Sequence, residues 1–123
     1  MAWLPQMPQQ TKDGVSMVPL LKGGKSFSQK VIYWHYPHYG NQGGSPASSI
    51  RESDWKLIQF YFDNHVELYN LRTDVEERRD LSEALPEKAA TLREKLNLWK
   101  NDTNAKIPLI NPYYNPDYKL LKE

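Results

Sequence analysis

The chain contains no cysteine. That absence excludes disulfides, thiolate metal sites and a cysteine nucleophile, and it leaves the redox compartment open. Long apolar runs are missing too, and no stretch approaches the roughly 20 residues that a membrane-spanning helix needs. The first residues, Met1-Ala2-Trp3-Leu4-Pro5-Gln6-Met7-Pro8, have neither a cationic start nor an apolar stretch, so no signal peptide is expected in this chain. An excess of one charge is also lacking: 16 basic residues face 15 acidic ones, for a formal net charge of +1. Without a basic run, the electrostatic case for nucleic acid is weak. Length is the last shortage, since 123 residues suit one domain with a small core.

What is present is aromatic. Four Trp, eight Tyr and three Phe must carry much of the burial in so short a chain. Residues 1 to 30 read as an irregular arm, broken by Pro5, Pro8 and Pro19 and turned at Gly23-Gly24. Within it, Val15, Met17, Val18, Leu20 and Leu21 form an apolar patch about one helical turn long. Such a patch gains little in an isolated domain and suits a chain that lies on something larger.

From Val31 the pattern turns to β. Val31-Ile32-Tyr33-Trp34-His35-Tyr36 is β-branched and aromatic, and Pro37 ends it. A glycine-rich loop follows to Pro46. Residues 47 to 52 read as a second strand, and Ser53-Asp54 as a turn into Trp55-Lys56-Leu57-Ile58-Gln59-Phe60-Tyr61-Phe62. Asp63-Asn64 is a second turn, after which Val66 to Leu71 alternates at period two. Arg72 to Arg79 is charged and loop-like. Leu85, Ala89, Leu92, Leu96 and Trp99 then step by four, three, four and three, which lines one face of a helix that Pro86 opens. Lys88, Arg93, Glu94, Lys95 and Lys100 fall off that stripe. The tail from Ile107, with Pro108, Pro112 and Pro116, has no period. The predicted fold is therefore α+β: a small antiparallel sheet of three to four strands with one C-terminal helix packed on it, an irregular N-terminal arm and an irregular C-terminal tail. Trp55, Phe60, Leu68, Leu92 and Trp99 are the expected core.

Several segments resemble the type I, formylglycine-dependent sulfatases. Asp13-Gly14-Val15-Ser16-Met17-Val18-Pro19-Leu20-Leu21 resembles the family's Asp-Gly-x-Ser-Leu-x-Pro-Leu-Leu link between the α/β catalytic domain and the small C-terminal subdomain. Arg51 to Ile58 is similar to its Arg-x-Gly-x-Trp-Lys-Leu hairpin, with Ser53 in place of the glycine. Glu67-Leu68-Tyr69-Asn70-Leu71, with Asp74, Asp80 and Leu81, resembles its Glu-Leu-Tyr-Asn-Leu-x-x-Asp-x-x-Glu-x-x-Asn-Leu pattern, with Asp80 in place of the Asn. The resemblance implies a four-stranded antiparallel sheet with one helix. It divides the chain into a linker arm (1–29), the subdomain (30–104) and an irregular tail (105–123). It also implies a sulfuric ester hydrolase whose formylglycine and calcium sit in the catalytic domain. No Cys/Ser-x-Pro-x-Arg motif occurs in this chain, so no catalytic residue and no metal site are expected in it.

Trp34-His35-Tyr36-Pro37-His38-Tyr39-Gly40-Asn41-Gln42-Gly43-Gly44 resembles a stretch of bacterial polysaccharide-degrading sulfatases, in which this loop faces the mouth of the active site. By that resemblance the substrate-binding candidates are His35, His38, Tyr39 and Asn41. The histidines would donate hydrogen bonds to sulfate or sugar hydroxyls, and a tyrosine would stack on a sugar ring. The competing expectation for His35 is an interior strand residue whose ring is satisfied locally. His35-x-x-His38 also has zinc-like spacing, but it lacks a third ligand. Arg51 is expected to make a structural ion pair at its hairpin, and His65 to be solvated. The implied partners are the α/β catalytic domain and a sulfated carbohydrate, with self-association through an exposed apolar face. The parent would be periplasmic or secreted. The alternative reading is a stand-alone carbohydrate-binding or interaction module, against which the apolar Val15 to Leu21 patch argues.

Overall fold

A computed structural model describes residues 14–24, 31–40, 43–109 and 111–113. The apolar patch forms one short helix, α1 (Val18–Leu21), with Val15, Met17, Val18, Leu20 and Leu21 all exposed. Four strands follow: β1 (Val31–Tyr36), β2 (Ala47–Glu52), β3 (Trp55–Phe60) and β4 (Val66–Asn70). They pair antiparallel in the order β1-β2-β3-β4, so every neighbour in sequence is a neighbour in space. The predicted four-stranded, one-helix α+β layout is what the chain adopts.

The turns show why the strands stop where they do. Ser53, between β2 and β3, has φ +56°, a left-handed conformation that glycine takes freely and that few other residues favour. This is the position at which the resemblance pattern has glycine. Asn64, before β4, has φ +62° and is one of the residue types that tolerate it.

Register sorts the side chains. Tyr33, Ile50, Leu57 and Leu68 lie side by side across the four strands on one face. Against them packs α2 (Pro86–Asp102), with Pro86 in its first turn as its fixed φ favours. Ala89, Leu92 and Leu96 reach into the core, and the Trp99 ring stacks on Tyr33 at 4.8 Å with planes 2° apart. Burying each of Ile50, Leu57, Leu68, Leu92 and Leu96 stabilises the fold by roughly 1.5–3 kcal/mol.

Three expectations about burial need correction. Phe60 is not core: its strand position points to the opposite face, where it stacks on His65 at 4.4 Å. Leu85 sits at the N-cap and stays half-exposed. Lys100, placed off the apolar stripe, is only 8% exposed, because the last turns of α2 pass over the polar end of the sheet. Trp55 packs against the edge of the core.

The segment after β4 folds back and covers that edge of the sheet. Asp80 accepts the backbone N–H groups of Leu68 and Ser82 and the Ser82 hydroxyl, and Leu81 donates to the Leu68 carbonyl. Burial pushes the Asp80 carboxyl up, but these hydrogen bonds outweigh it and hold the group below the usual carboxylate range. Lys56 pairs with both oxygens of Glu77 at 2.7 Å, which ties the segment to β3. The segment shields Tyr69, which is 8% exposed and donates to Glu67. Burial first, then the Glu67 carboxylate, push the Tyr69 hydroxyl up to about 12.

A phenol whose folded-state value is raised contributes stability that is intact below about pH 10, its ordinary value. That stability is lost as pH climbs through about 12. The difference in stability between the native chain and Tyr69→Phe should therefore shrink between about pH 10 and 12, as denaturant melts at stepped alkaline pH would record. A constant difference across that range would show that the Tyr69 hydroxyl is not held in its neutral, donating form.

Candidate functional site

The candidate residues gather at one end of β1. Inward and outward positions alternate along the strand, so His35 turns towards α2 while Trp34 and Tyr36 turn away. His35 is engaged on both sides of its ring. Nε2 lies 3.0 Å from the Lys106 carbonyl, and Nδ1 lies 2.7 Å from the Ser48 hydroxyl and 3.0 Å from the Tyr61 hydroxyl. The two hydroxyls are 2.5 Å apart. Tyr61 also meets the His35 ring edge-on, with centroids 5.8 Å apart. Burial pushes the Tyr61 phenol up, and the Ser48 bond partly offsets this.

The same end of the sheet holds a second polar chain. The Lys100 ammonium donates to Gln59 Oε1 at 2.8 Å, and Gln59 Nε2 donates to Asn64 Oδ1 at 2.7 Å. Lys100 also lies 5.4 Å from the Tyr61 ring centre, a favourable cation–π position. Burial, and secondarily the Arg93 charge, push the Lys100 ammonium below its ordinary value. No buried side-chain nitrogen or oxygen among the described residues is left without a partner. Sequence reasoning missed Ser48, Gln59, Tyr61 and Lys100. The signal that would have found them is register, which the sequence alone does not carry: Ser48 and Gln59 lie in the same cross-sheet row as His35.

Beyond Tyr36 the chain leaves the sheet. Pro37 ends the pairing, and the His38 ring meets Tyr36 edge-on at 5.5 Å. His38 is exposed, and Tyr39 is 71% exposed. The loop closes through Gly40 N–H to the Gly44 carbonyl at 3.0 Å and Gly43 N–H to the Gly40 carbonyl at 3.1 Å. Gly43 has φ +95°, which demands glycine. Asn41 lies outside the described residues. His38 and Tyr39 thus stand together at the loop, and His35 is set apart from them on the helix side.

The outward face of β1 carries Ile32, Trp34 and Tyr36, the last two 47% and 56% exposed. Ile58 and Phe60 lie on the same face of the sheet. The Glu77 segment covers the β4 half of this face and leaves the β1 half open. A shallow groove of about 450 Å³ runs along the solvent flank of α2, lined by Pro86, Ala90, Arg93, Asn97 and Leu98 among others, and it includes none of the predicted site residues.

The expected ion pair of Arg51 is corrected. Its Nε donates to the Ser53 carbonyl at 3.4 Å, and no carboxylate among the described residues pairs with it. His65 is exposed, as expected, and contacts Asp63. The described residues do not fit calcium or a formylglycine. The chain has no cysteine, and no group of three His, Asp or Glu side chains among those residues converges as a cation site. Several carboxylates are otherwise occupied: Asp74 by the backbone of Arg78 and Arg79, Glu52 by Lys95 and Glu77 by Lys56.

Residues 4–103 match the family described as N-sulphoglucosamine sulphohydrolase, C-terminal. A sulfatase from Formosa agariphila is 32% identical over 116 residues, covering 85% of this chain and 21% of that protein. A protein solved in complex with its substrate D-glucosamine-2-N,6-O-disulfate superimposes with a TM-score of 0.64 at 26% identity, covering 80% of this chain and 21% of the other. A 2-O glycosaminoglycan sulfatase shares the fold, with a TM-score of 0.59 at 24% identity, 87% of this chain and 24% of that one. The chain spans about a fifth of the length of the first two of these relatives.

Removing one member of the buried chain while leaving the charge should cost more than removing the charge. Gln59→Leu strands the Lys100 ammonium and should destabilise the fold by about 1–3 kcal/mol, whereas Lys100→Met, which keeps the stem and deletes the charge, should cost less. Paired urea melts decide the order, and the reverse order would mean that Lys100 reaches water.

Proposed function

The chain belongs to the N-sulphoglucosamine sulphohydrolase C-terminal family, and from that premise we propose that it seats against an α/β sulfatase catalytic domain and closes one side of a cleft for sulfated carbohydrate. The observation that carries this reading is the continuity of β1. Its outward face, Ile32, Trp34 and Tyr36, is apolar and open, and it runs directly into the loop that holds His38 and Tyr39. A domain packed on that face would receive the loop at its margin. The arm (1–29) would lead in from the catalytic domain, the subdomain (30–104) would form the wall, and the tail (105–123) would lie across it.

In the proposed reaction, hydrolysis of a sulfate ester, the nucleophile and the calcium belong to the catalytic domain. This chain supplies recognition. His38 has an exposed ring N–H for sulfate or hydroxyl oxygens, Tyr39 offers a flat apolar face for a sugar ring, and Asn41 would add an amide. His35, with both ring nitrogens engaged, supports the loop from behind. The relative solved with a disulfated glucosamine supports a sulfated amino sugar as the substrate class. The parent enzyme would be periplasmic or secreted.

Two measurements test the reading. In a sulfatase assembled from this domain and its catalytic domain, His38→Ala should lower kcat/KM on a sulfated saccharide on the order of tenfold, the loss of one charge-assisted hydrogen bond. Unchanged kinetics would assign His38 to structure. Alone, the chain should self-associate as concentration rises, because the open face has no cover. Trp34→Lys should keep it monomeric in sedimentation. A native chain that stays monomeric throughout would count against a docking face on β1.

A further inference from the structure

We infer that His35 is a positioning residue, a clasp that ties the segment after α2 to the root of the β1–β2 loop. The argument starts from proton directions. A carbonyl oxygen only accepts, so the contact between Nε2 and the Lys106 carbonyl at 3.0 Å requires the hydrogen on Nε2. In the neutral ring Nδ1 is then an acceptor. Ser48 and Tyr61 supply it with a donor: one hydroxyl donates to Nδ1 and the other donates to the first, across their 2.5 Å contact. Ser48 is 2% exposed, so water does not compete for its proton. Each ring nitrogen then has one role, and the ring has one orientation.

The clasp joins elements far apart in sequence. Lys106 follows the end of α2, where the Ala105 N–H closes the last turn on the Lys100 carbonyl at 2.9 Å. His35 is the last inward residue of β1, three positions before His38. The contact between them spans 71 residues of sequence. It fixes where the tail leaves the helix relative to where the loop leaves the sheet. The tail and the loop therefore begin as one wall. The consequence for substrate rests on the function proposed above, whereas the clasp itself does not.

Nitrogen-15 long-range correlation spectra of the full chain report the tautomer directly. The expected pattern is a protonated Nε2 and a bare Nδ1, and an Nδ1–H ring would overturn the clasp. Two substitutions ask which nitrogen matters. The Gln amide reaches the place of Nε2, and the Asn amide reaches only that of Nδ1. His35→Gln should leave exchange of the Ala105 amide near the native rate, and His35→Asn should speed it on the order of fivefold, the loss of one ordinary hydrogen bond. Equal acceleration in both would mean that His35 only fills space. None of these readouts involves substrate. In the assembled enzyme, His35→Asn should also raise KM and His35→Gln should restore it. A freed tail with an unchanged KM would leave the clasp standing and remove the substrate wall from the proposed function.

Discussion

Everything in this domain depends on one sheet face being covered by one helix. The four short strands would leave an apolar face open to water, and most of the stability of a 17-residue helix in a protein comes from packing its apolar face. They become stable together because Tyr33, Ile50, Leu57 and Leu68 present a continuous row to Ala89, Leu92, Leu96 and Trp99. The core is thin, and it holds because strand and helix periods both place large side chains on the shared face. With the helix committed to that face, the other face must find its cover elsewhere. The Glu77 segment provides it over β4, and the β1 half remains open.

The covered face is apolar at one end and polar at the other. Moving along the rows from Leu57 to Gln59 and from Ile50 to Ser48, the side chains change from hydrocarbon to hydrogen-bonding groups, yet burial does not fall. Burying such groups is costly unless each is paired, and each is. The pairings are also directional. A buried leucine tolerates some rotation, whereas the Lys100–Gln59–Asn64 chain and the Ser48–Tyr61–His35 triangle hold their side chains in place through short, directional contacts. The polar end thus sets how α2 finishes against the sheet and where the chain goes next. It is this end, not the apolar one, that lies under the candidate loop.

Much of this was legible in the residues themselves. The β-branched and aromatic run from Val31, the period-two run from Val66 and the four-three stepping from Leu85 to Trp99 identify sheet and helix, and the turn residues mark the boundaries. The resemblance motifs carry the family. What stayed hidden has a common cause: a sequence shows periodicity but not register. Lys100 looks like a solvated face until Gln59 is known to lie beneath it. Phe60 looks like core until its pairing with Ala47 puts it on the outer face. His35 could be read either as a ligand or as a satisfied strand residue, and the partner of its Nε2, the Lys106 carbonyl, comes from a segment that has no pattern to read.

Register also explains how one six-residue strand can serve three purposes. In β1 the odd residues Tyr33 and His35 serve the core and the clasp, and the even residues Ile32, Trp34 and Tyr36 form the open face. The loop continues from its end. Because side chains alternate strictly, a slip of one residue would send His35 outward and Trp34 into the helix, and would lose packing, clasp and face together. The strand is therefore constrained by several independent requirements at once. Such a strand suits a domain that contributes shape and recognition while the bond-breaking groups belong to a partner. In the proposed assembly the small sheet need not react, and its part is to hold the loop that leaves the end of β1.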